Sequence, residues 1–276
     1  MCSSDLGQQG ESYRATSEQF PILARPFFNV LTGEGDAFLV AHRDFLSGSV
    51  TVAAENEFLG SESLLRVAFV DDDSFHLHGL FGYRFAHLKD RLRISQTSVW
   101  TVDDGFIYEG TTKQLLDEFA AKNQFHGGTL GLAIQLRRPR WFLNATGKAS
   151  LGSTFSTVWI DGSTTTTVPG AGSATDNSGL LALGTNLGKH NRSGFSVIPE
   201  AEVTLGYNVT SSFQIFLGYQ FLYWSGVARP GDQIDLSLNP SQFPPGTLDG
   251  PVRPGFPGKT SGFWAQGLNF GLEWRF

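Results

Sequence analysis

Residues 263–276 (FWAQGLNFGLEWRF) alternate between apolar and polar side chains, as a β-strand with one apolar face requires. One face carries Trp264, Gln266, Leu268, Phe270, Leu272, Trp274 and Phe276, and the other carries Ala265, Gly267, Asn269, Gly271, Glu273 and Arg275. In a soluble sandwich the apolar face packs on a second sheet. In an outer-membrane barrel it contacts lipid, and the polar face lines the interior. The alternation alone leaves both folds open.

The aromatic end of this strand favours the barrel. The chain stops on the apolar face with aromatic residues at its last and third-last positions. This ending resembles the carboxyl-terminal signal that the outer-membrane assembly machinery reads, although an ordinary final strand is the alternative. We therefore predict the assembly machinery and outer-membrane lipid as partners, with an assembly signal formed by Phe270, Leu272, Trp274 and Phe276.

The same two-residue period recurs upstream, in segments near the ~9 to 11 residues that a tilted membrane-spanning strand needs. With the final strand, the segments are residues 65–69, 75–85, 92–94, 130–136, 141–151, 195–207 and 213–223, and residues 37–54 add one or two more. We therefore expect an all-β fold, an antiparallel transmembrane β-barrel of about 8 to 12 strands. The barrel should cover residues 37–276, after an irregular segment at residues 1–36.

The connections between these segments fall into two length classes. Short turns are predicted at residues 87–90, 137–140 and 208–212, and long loops at residues 101–122, 153–193 and 225–262. Outer-membrane barrels place short turns on the periplasmic side and long loops outside the cell. The alternation of the two classes therefore favours a membrane barrel over a sandwich.

The composition agrees with a β-protein that faces lipid. Charged residues make up 17% of the 276 residues, below the usual roughly 25%. No apolar run approaches the ~18 residues of a transmembrane helix, which excludes a helical membrane protein. The net charge is −6 and the largest basic cluster is RRPR at residues 137–140, so we predict no nucleic-acid partner.

The first residues carry no targeting signal. The stretch MCSSDL at residues 1–6 lacks the basic region, apolar segment and cleavage site of a signal peptide. We therefore expect an amino-terminally truncated chain with an artefactual start. The single cysteine, Cys2, cannot form an internal disulfide, and no Cys/His array has zinc spacing. We predict neither a metal site nor a cofactor.

Polar residues opposite the apolar faces should line the barrel interior. Their mixed charges leave two interpretations open, mutual pairing in a narrow barrel or a water-filled path with ion selectivity. Two histidines at i and i+2 near the aspartates of residues 71–73 lack a fixed third ligand, so they are assigned to the lumen rather than to a metal. The lumen-lining candidates are His76, His78, Arg84, Lys148, Glu200, Glu202, Gln214, Gln220, Glu273 and Arg275.

One long loop carries charges directly after a predicted strand. In RPGDQID at residues 229–235, the side chains of Arg229, Asp232 and Asp235 are candidates for a constriction if the loop folds into the pore. They could instead lock the loop by pairing with one another or with the rim. The sequence leaves both roles open.

Several stretches resemble the β-barrel porins of type seven from planctomycete-type bacteria. They are GYRF (82–85), NQFHGG (123–128), GKASLG (147–152), IDGST (160–164), FSVIPEAEVTLGY (195–207), GYQFLYWSGVARPGDQID (218–235) and the final strand. The resemblance covers residues ~80 to 276 and implies a barrel in the outer membrane, but it brings no substrate and no catalytic residues. The amino-terminal part departs from the family pattern, which leaves the strand number open.

These observations predict a passive, porin-like channel for small solutes. No GxSxG, HExxH or GxxxxGK[ST] motif is present, so we predict no enzyme. The alternative is a structural or adhesive outer-membrane barrel with a plugged lumen and no transport. A soluble β-sandwich is a third possibility, and the oligomeric state is left open.

Overall fold

The computed structural model describes residues 2–103 and 105–274. Within them the chain forms twelve strands and two short 3-10 helices, at Pro230–Gln233 and Pro240–Gln242. No helix in this part of the chain is both long enough and apolar enough to cross a membrane. The strands are β1 (Cys2–Thr16), β2 (Ile22–Asn29), β3 (Glu34–His42), β4 (Leu46–Asp72), β5 (Phe75–Trp100), β6 (Thr112–Arg137), β7 (Trp141–Val168), β8 (Gly172–Asp176), β9 (Gly188–Asn208), β10 (Phe213–Val227), β11 (Ser237–Leu238) and β12 (Ser261–Trp274).

The strands form one sheet in the order β11-β2-β3-β4-β5-β6-β7-β9-β10-β12, with β1 on β4 and β8 on β7. All pairs are antiparallel except β11 with β2. Between the described residues no pairing joins β12 to β1, so the sheet is not closed by hydrogen bonds. It nevertheless curls onto itself, because Phe58 of β4 stacks on Phe263 of β12 with ring centroids 5.3 Å apart.

Short turns gather at one end of the sheet. Residues 73–74, 138–140 and 209–212 join neighbouring strands there. Backbone hydrogen bonds tie these turns together, from Arg137 N–H to Ser74 O (2.9 Å) and from Asn208 N–H to Arg140 O (2.8 Å). We call this end the turn end and the opposite one the loop end. The turns predicted at 137–140 and 208–212 are confirmed.

The third predicted turn, at residues 87–90, is wrong. These residues lie inside β5, paired without a break to β4 on one side and to β6 on the other. Strands β4 to β7 contain 27, 26, 26 and 28 residues, far more than the ~9 to 11 that span a membrane. The polar residues near position 89 therefore mark the place where a strand leaves the apolar belt, not a chain reversal.

The polarity of the two faces inverts along each long strand. Near the turn end of β5, Phe81 points outward with 41% exposure and Arg84 points inward with 3%. Toward the loop end Leu92 packs inward, while outward-facing Arg93 pairs with Glu118 at 2.7 Å. Only the portion near the turn end therefore has the apolar outer surface that lipid requires.

Several predicted boundaries differ from the structure. Residues 1–36 were expected to be irregular, but β1, β2 and the start of β3 lie there. The predicted loops at 101–122 and 153–193 are shorter than expected, because β6 begins at Thr112, β7 continues to Val168 and β9 begins at Gly188. Polar β-strands that project beyond the apolar belt carry no lipid-facing pattern by which the sequence could identify them.

The interior holds two apolar clusters, one midway along the long strands and one toward the loop end. The aromatic layer consists of Phe58, Phe125, Trp224 and Phe263, with Ala86, Leu88, Ile198 and Val227 around them. The loop core lies toward the loop end, where loop segments pack on inward-facing strand residues. Its buried members are Phe27, Leu115, Phe119, Ala121, Val158, Ile160, Leu180, Leu181, Ala182, Ala228 and Leu238.

Candidate functional site: a filled lumen

Four charged side chains meet across the interior near the turn end. Arg84 Nη1 lies 2.5 Å from Glu200 and 3.8 Å from Glu62, and Lys148 Nζ lies 2.5 Å from Glu62 and 2.9 Å from Glu200. Each side chain is at most 16% exposed. Since a buried unpaired charge is costly, mutual neutralisation explains how four charges remain inside. The group, here called the ion network, bridges β4, β5, β7 and β9.

A polar chamber of about 300 Å³ adjoins the ion network. Besides the four charged residues, its walls include Ser61, Thr146, Glu202, Gln220 and Gln266, and Phe58 and Leu222 border it. The chamber contains two cationic and three anionic side chains, so one negative charge is not compensated. Its net charge is therefore −1.

The aromatic layer lies next to this chamber, since Phe58 belongs to both. Trp224 has no exposed surface, and its Nε1–H donates to Thr154 Oγ1 at 2.9 Å. Its ring centroid lies 6.4 Å from that of Phe58 and 6.1 Å from that of Phe125, both in edge-on contact. Packed rings from four strands meet in the interior here.

The loop that follows β10 is fixed to the inner wall. The side-chain amide of Asn123 donates to Ala228 O (2.9 Å) and accepts from Ala228 N–H (2.8 Å). The next residue, Arg229, reaches Asp90 at 2.6 Å and lies 5.8 Å from the ring centroid of Phe263. Burial raises the pKa of Asp90 to about 6, because desolvation of the carboxylate outweighs the attraction of Arg229.

A second lock holds the loop core. Asp117 on β6 has no exposed surface, and its Oδ1 accepts backbone N–H bonds of 2.8 to 2.9 Å from residues 180, 181 and 182. Its Oδ2 accepts from Arg25 on β2 at 2.6 Å. One carboxylate thus joins the barrel wall, the β2–β3 hairpin and the loop after β8.

At the turn end, further polar side chains pair with one another. Asp71 contacts His76 Nδ1, and the rings of His76 and His78 stack with centroids 6.3 Å apart. Gln214 Nε2 donates to a carboxylate oxygen of Glu273. Within the described part of the chain no group of three or more His, Cys, Asp or Glu side chains is placed to hold a metal ion.

The structure brings together some of the predicted lumen residues but not all. Arg84, Lys148, Glu200, Glu202 and Gln220 surround the chamber. His76, His78, Gln214 and Glu273 lie nearer to the turn end, and Arg275 is outside the described residues. The predicted interior face of β10 is reproduced, since Gln214 is 8% exposed while Leu217 is 59% exposed.

The three charged loop residues do not form one cluster. Arg229 is bound to Asp90 on the wall, whereas Asp235 pairs with Arg253 of the same loop at 2.9 Å. Partial burial alone would raise the pKa of Asp235. The hydrogen bonds that it accepts from the backbone N–H groups of residues 255 and 237 and from Arg253 outweigh this effect, so the pKa is lowered overall. Asp232 is half-buried three residues after Arg229, and its backbone N–H donates to Arg229 O at 3.2 Å. These contacts correspond to the loop-locking interpretation.

The proposed assembly signal lies on the outer face of β12. Phe270, Leu272 and Trp274 are 86%, 70% and 61% exposed, and Phe276 is outside the described residues. Other outward apolar residues continue this belt around the turn end, including Leu65, Phe81, Leu130, Leu132, Leu151, Val203, Leu205, Leu217 and Leu268.

Sequence reasoning missed residues that hold the interior together. Glu62, Asp90, Asp117 and Asn123 lie in segments where no strand was predicted. These residues could have been identified only by extending the two-residue alternation of the neighbouring predicted strands. Asp90, for example, lies an even number of residues from Arg84 and therefore on the same face. Trp224, directly after the predicted strand at residues 213–223, is fully buried inside the barrel.

A family model described as "Putative beta barrel porin-7" matches residues 4–276, nearly the whole chain. No curated protein and no solved structure matches the chain significantly. The match includes the amino-terminal strands, which the motif resemblance did not cover.

Proposed function

Because this chain belongs to the beta barrel porin-7 family, we propose that it is an outer-membrane barrel whose lumen is closed in the folded state described. The passage of small solutes then requires the interior to open. Catalysis is not part of this proposal. The sequence favoured a passive, porin-like channel for small solutes, and the geometry supports the alternative with a plugged lumen more strongly.

The main observation that supports a closed lumen is the aromatic layer. A path from the turn end to the loop end would have to pass Trp224, Phe125 and Phe58, which are 0%, 0% and 3% exposed. Beyond them lies the loop core, in which Leu180 and Leu238 are also buried. Protein interiors are close-packed, so a solute cannot cross such layers without displacing side chains.

The proposed location in the outer membrane is based on the belt of outward-facing apolar residues. Its width corresponds to 11 residues in β10 (213–223) and to about the same number in β12, which fits the ~9 to 11 residues of a tilted spanning strand. Short turns at one end and long loops at the other agree with the arrangement in outer-membrane barrels. We therefore place the turn end at the periplasm, with lipid and the assembly machinery as partners.

Electrical recording from planar bilayers tests the closure. Folded protein, checked by a heat-modifiable gel shift, should give no steady conductance steps. The double variant Trp224→Ala/Asn123→Ala removes one ring of the layer and the anchor of the following loop, and it should show intermittent openings. The matched control Tyr223→Ala changes an outward residue of the same strand and should remain silent.

A passive open channel is the second candidate function. The polar chamber and the family description favour it. Steady conductance by the unmodified protein, together with swelling of liposomes in small sugars, would establish that candidate and refute the closed barrel. Silence of both the wild type and the double variant would instead favour a purely structural role.

A further inference from the structure

We infer that two lysines on the outer wall, beside the edge of the belt that faces the loop end, bind the phosphate group of a membrane lipid. The two residues are Lys89 on β5 and Lys122 on β6, here called the lysine pair. The inference rests on the proposed membrane location and goes beyond the proposed function, because it assigns a lipid site to the outside of the barrel.

The lysine pair places two like charges side by side. Lys89 and Lys122 are direct partners in the antiparallel register of β5 and β6, and the Cβ atoms of such partners lie about 4.5–5.5 Å apart. Both side chains point outward, since the neighbouring residues Leu88 and Asn123 point inward with no exposed surface. Like charges that face each other across a sheet are destabilising. An anion between the two ammonium groups would replace this repulsion by attraction.

The protein itself compensates only one of the two charges. Glu57 on β4 contacts Lys89 Nζ at 3.2 Å, but both side chains are about half exposed, so the pair is weak. Within the described part of the chain no hydrogen bond or ion pair engages the ammonium group of Lys122. The row of outward residues across the sheet is Glu57, Lys89, Lys122 and Thr157. With two lysines and one glutamate, this row has a net charge of +1.

The other acids of this outer surface lie farther from the belt. Glu118 and Asp161, which face each other on β6 and β7, lie four residues beyond the lysine pair, about 13 Å along the strands. Glu118 is engaged by Arg91 at 3.3 Å and by Arg93 at 2.7 Å. Glu55 lies directly opposite Arg91 in the register. Positive charge is therefore in excess in the charged row that is nearest to the belt.

The height of the lysine pair favours a lipid over a soluble anion. Two residues nearer to the turn end, about 7 Å along the strands, the outward row includes Leu59 and Phe155, which are 39% and 51% exposed. Exposed apolar side chains of the wall face acyl chains, so the ammonium groups just above them lie among the headgroups. Lysines at the membrane surface attract anionic lipids.

An aromatic surface below the lysine pair would contact the rest of the lipid. Tyr83 OH and His126 Nδ1 share a hydrogen bond of 2.6 Å. The ring centroid of His126 lies 5.1 Å from that of Phe85 and 6.2 Å from that of Phe155. Aromatic side chains are enriched at membrane–water interfaces. A lipid whose phosphate binds the lysine pair could therefore lay its glycerol and acyl chains along this surface, which a free phosphate ion would not use.

Native mass spectrometry tests the site with two lipid probes, phosphatidic acid and phosphatidylcholine, which differ in net headgroup charge. The full chain is folded into vesicles that contain both lipids in equal amounts and is then released in mild detergent, and the lipids that remain bound are counted. We expect a preference of roughly tenfold or more for phosphatidic acid. The double variant Lys89→Gln/Lys122→Gln should abolish this preference, and Glu57→Gln, which removes the competing carboxylate, should increase it.

The matched control Lys259→Gln removes the same charge from an exposed lysine in the loop after β10 and should leave the preference unchanged. Three results would overturn the inference: equal retention of the two lipids, a wild-type preference in the double variant, and displacement of phosphatidic acid by inorganic phosphate, which would indicate a site for soluble anions. A heat-modifiable gel shift checks that each variant folds and inserts. Protein that does not insert refutes the membrane location and the site with it, whereas inserted protein without a lipid preference refutes the site alone.

Discussion

Asp117 should be the most sensitive single position of the loop end. The substitution Asp117→Ala removes the acceptor of three backbone N–H groups and the partner of Arg25, which is itself 9% exposed. Breaking a buried ion pair by removing one partner costs about 3–5 kcal/mol, because the other charge stays buried. The three orphaned N–H groups can only increase this cost, unless water enters the site.

The expected consequence is local opening of the loop after β8. A cost of about 3–5 kcal/mol raises the open population roughly a hundredfold to a few thousandfold, at about 1.4 kcal/mol per factor of ten. When opening is fast relative to cleavage, proteolysis reports that population. Limited proteolysis in residues 177–187 of the membrane-reconstituted protein, with cleavage rates compared between variants, measures the effect directly.

Two further variants separate charge from geometry. Asp117→Asn keeps an acceptor oxygen for the backbone but loses the charge, so its cleavage rate should lie between those of the wild type and Asp117→Ala. Glu118→Gln alters an exposed pair worth about 1 kcal/mol or less and should change little. If Asp117→Ala is cleaved no faster than Glu118→Gln, the carboxylate does not hold the loop core and the reasoning is refuted.

Two other predictions concern the Asp90–Arg229 pair and the belt of outward apolar residues. Because the pKa of Asp90 is raised from 3.8 to about 6 in the folded protein, the folded state binds this proton more tightly, and the free energy of unfolding should fall as pH rises between these values. Urea unfolding at pH 3.5 to 7 should show that slope in the wild type and a shallower one in Asp90→Asn, and parallel curves would contradict it. Leu268→Arg places a charge on the lipid side of β12 and should cost about 2–4 kcal/mol in vesicles. Val102→Arg, in a loop, should cost roughly 0.5 kcal/mol or less, and equal costs would argue against a lipid-facing belt.

The part of the fold that touches lipid was predictable from the sequence. In residues 213–223 and 264–274 one face is apolar and the other polar, and the structure reproduces both the strands and their faces. The reason is physical, since lipid on one side and polar contacts on the other impose opposite demands on alternate residues. The same argument made the turns after Arg137 and Asn208 recognisable.

The part beyond the belt was not predictable in the same way. Around Leu88 and Asp90 the outer face becomes charged and the inner face apolar, so a change of environment was interpreted as a chain reversal. The candidate site shows the same limit. Arg84, Lys148 and Glu200 were placed on the inner face, but Glu62 was missed, because which charges meet depends on how far the sheet curls.

The inversion of polarity also bears on function. Near the turn end the interior is hydrophilic and contains a chamber; toward the loop end it is a hydrophobic core like that of a soluble domain. A hydrophobic core inside a barrel wall stabilises the long strands where no lipid covers them, because apolar burial contributes about 25 cal/mol per Å². In the proposed closed barrel, the same core also blocks the lumen. Stability of the projecting strands and permeability are therefore opposed here, and a conducting state would have to detach the loops held by Asn123 and Asp117 while the belt keeps the barrel in the membrane.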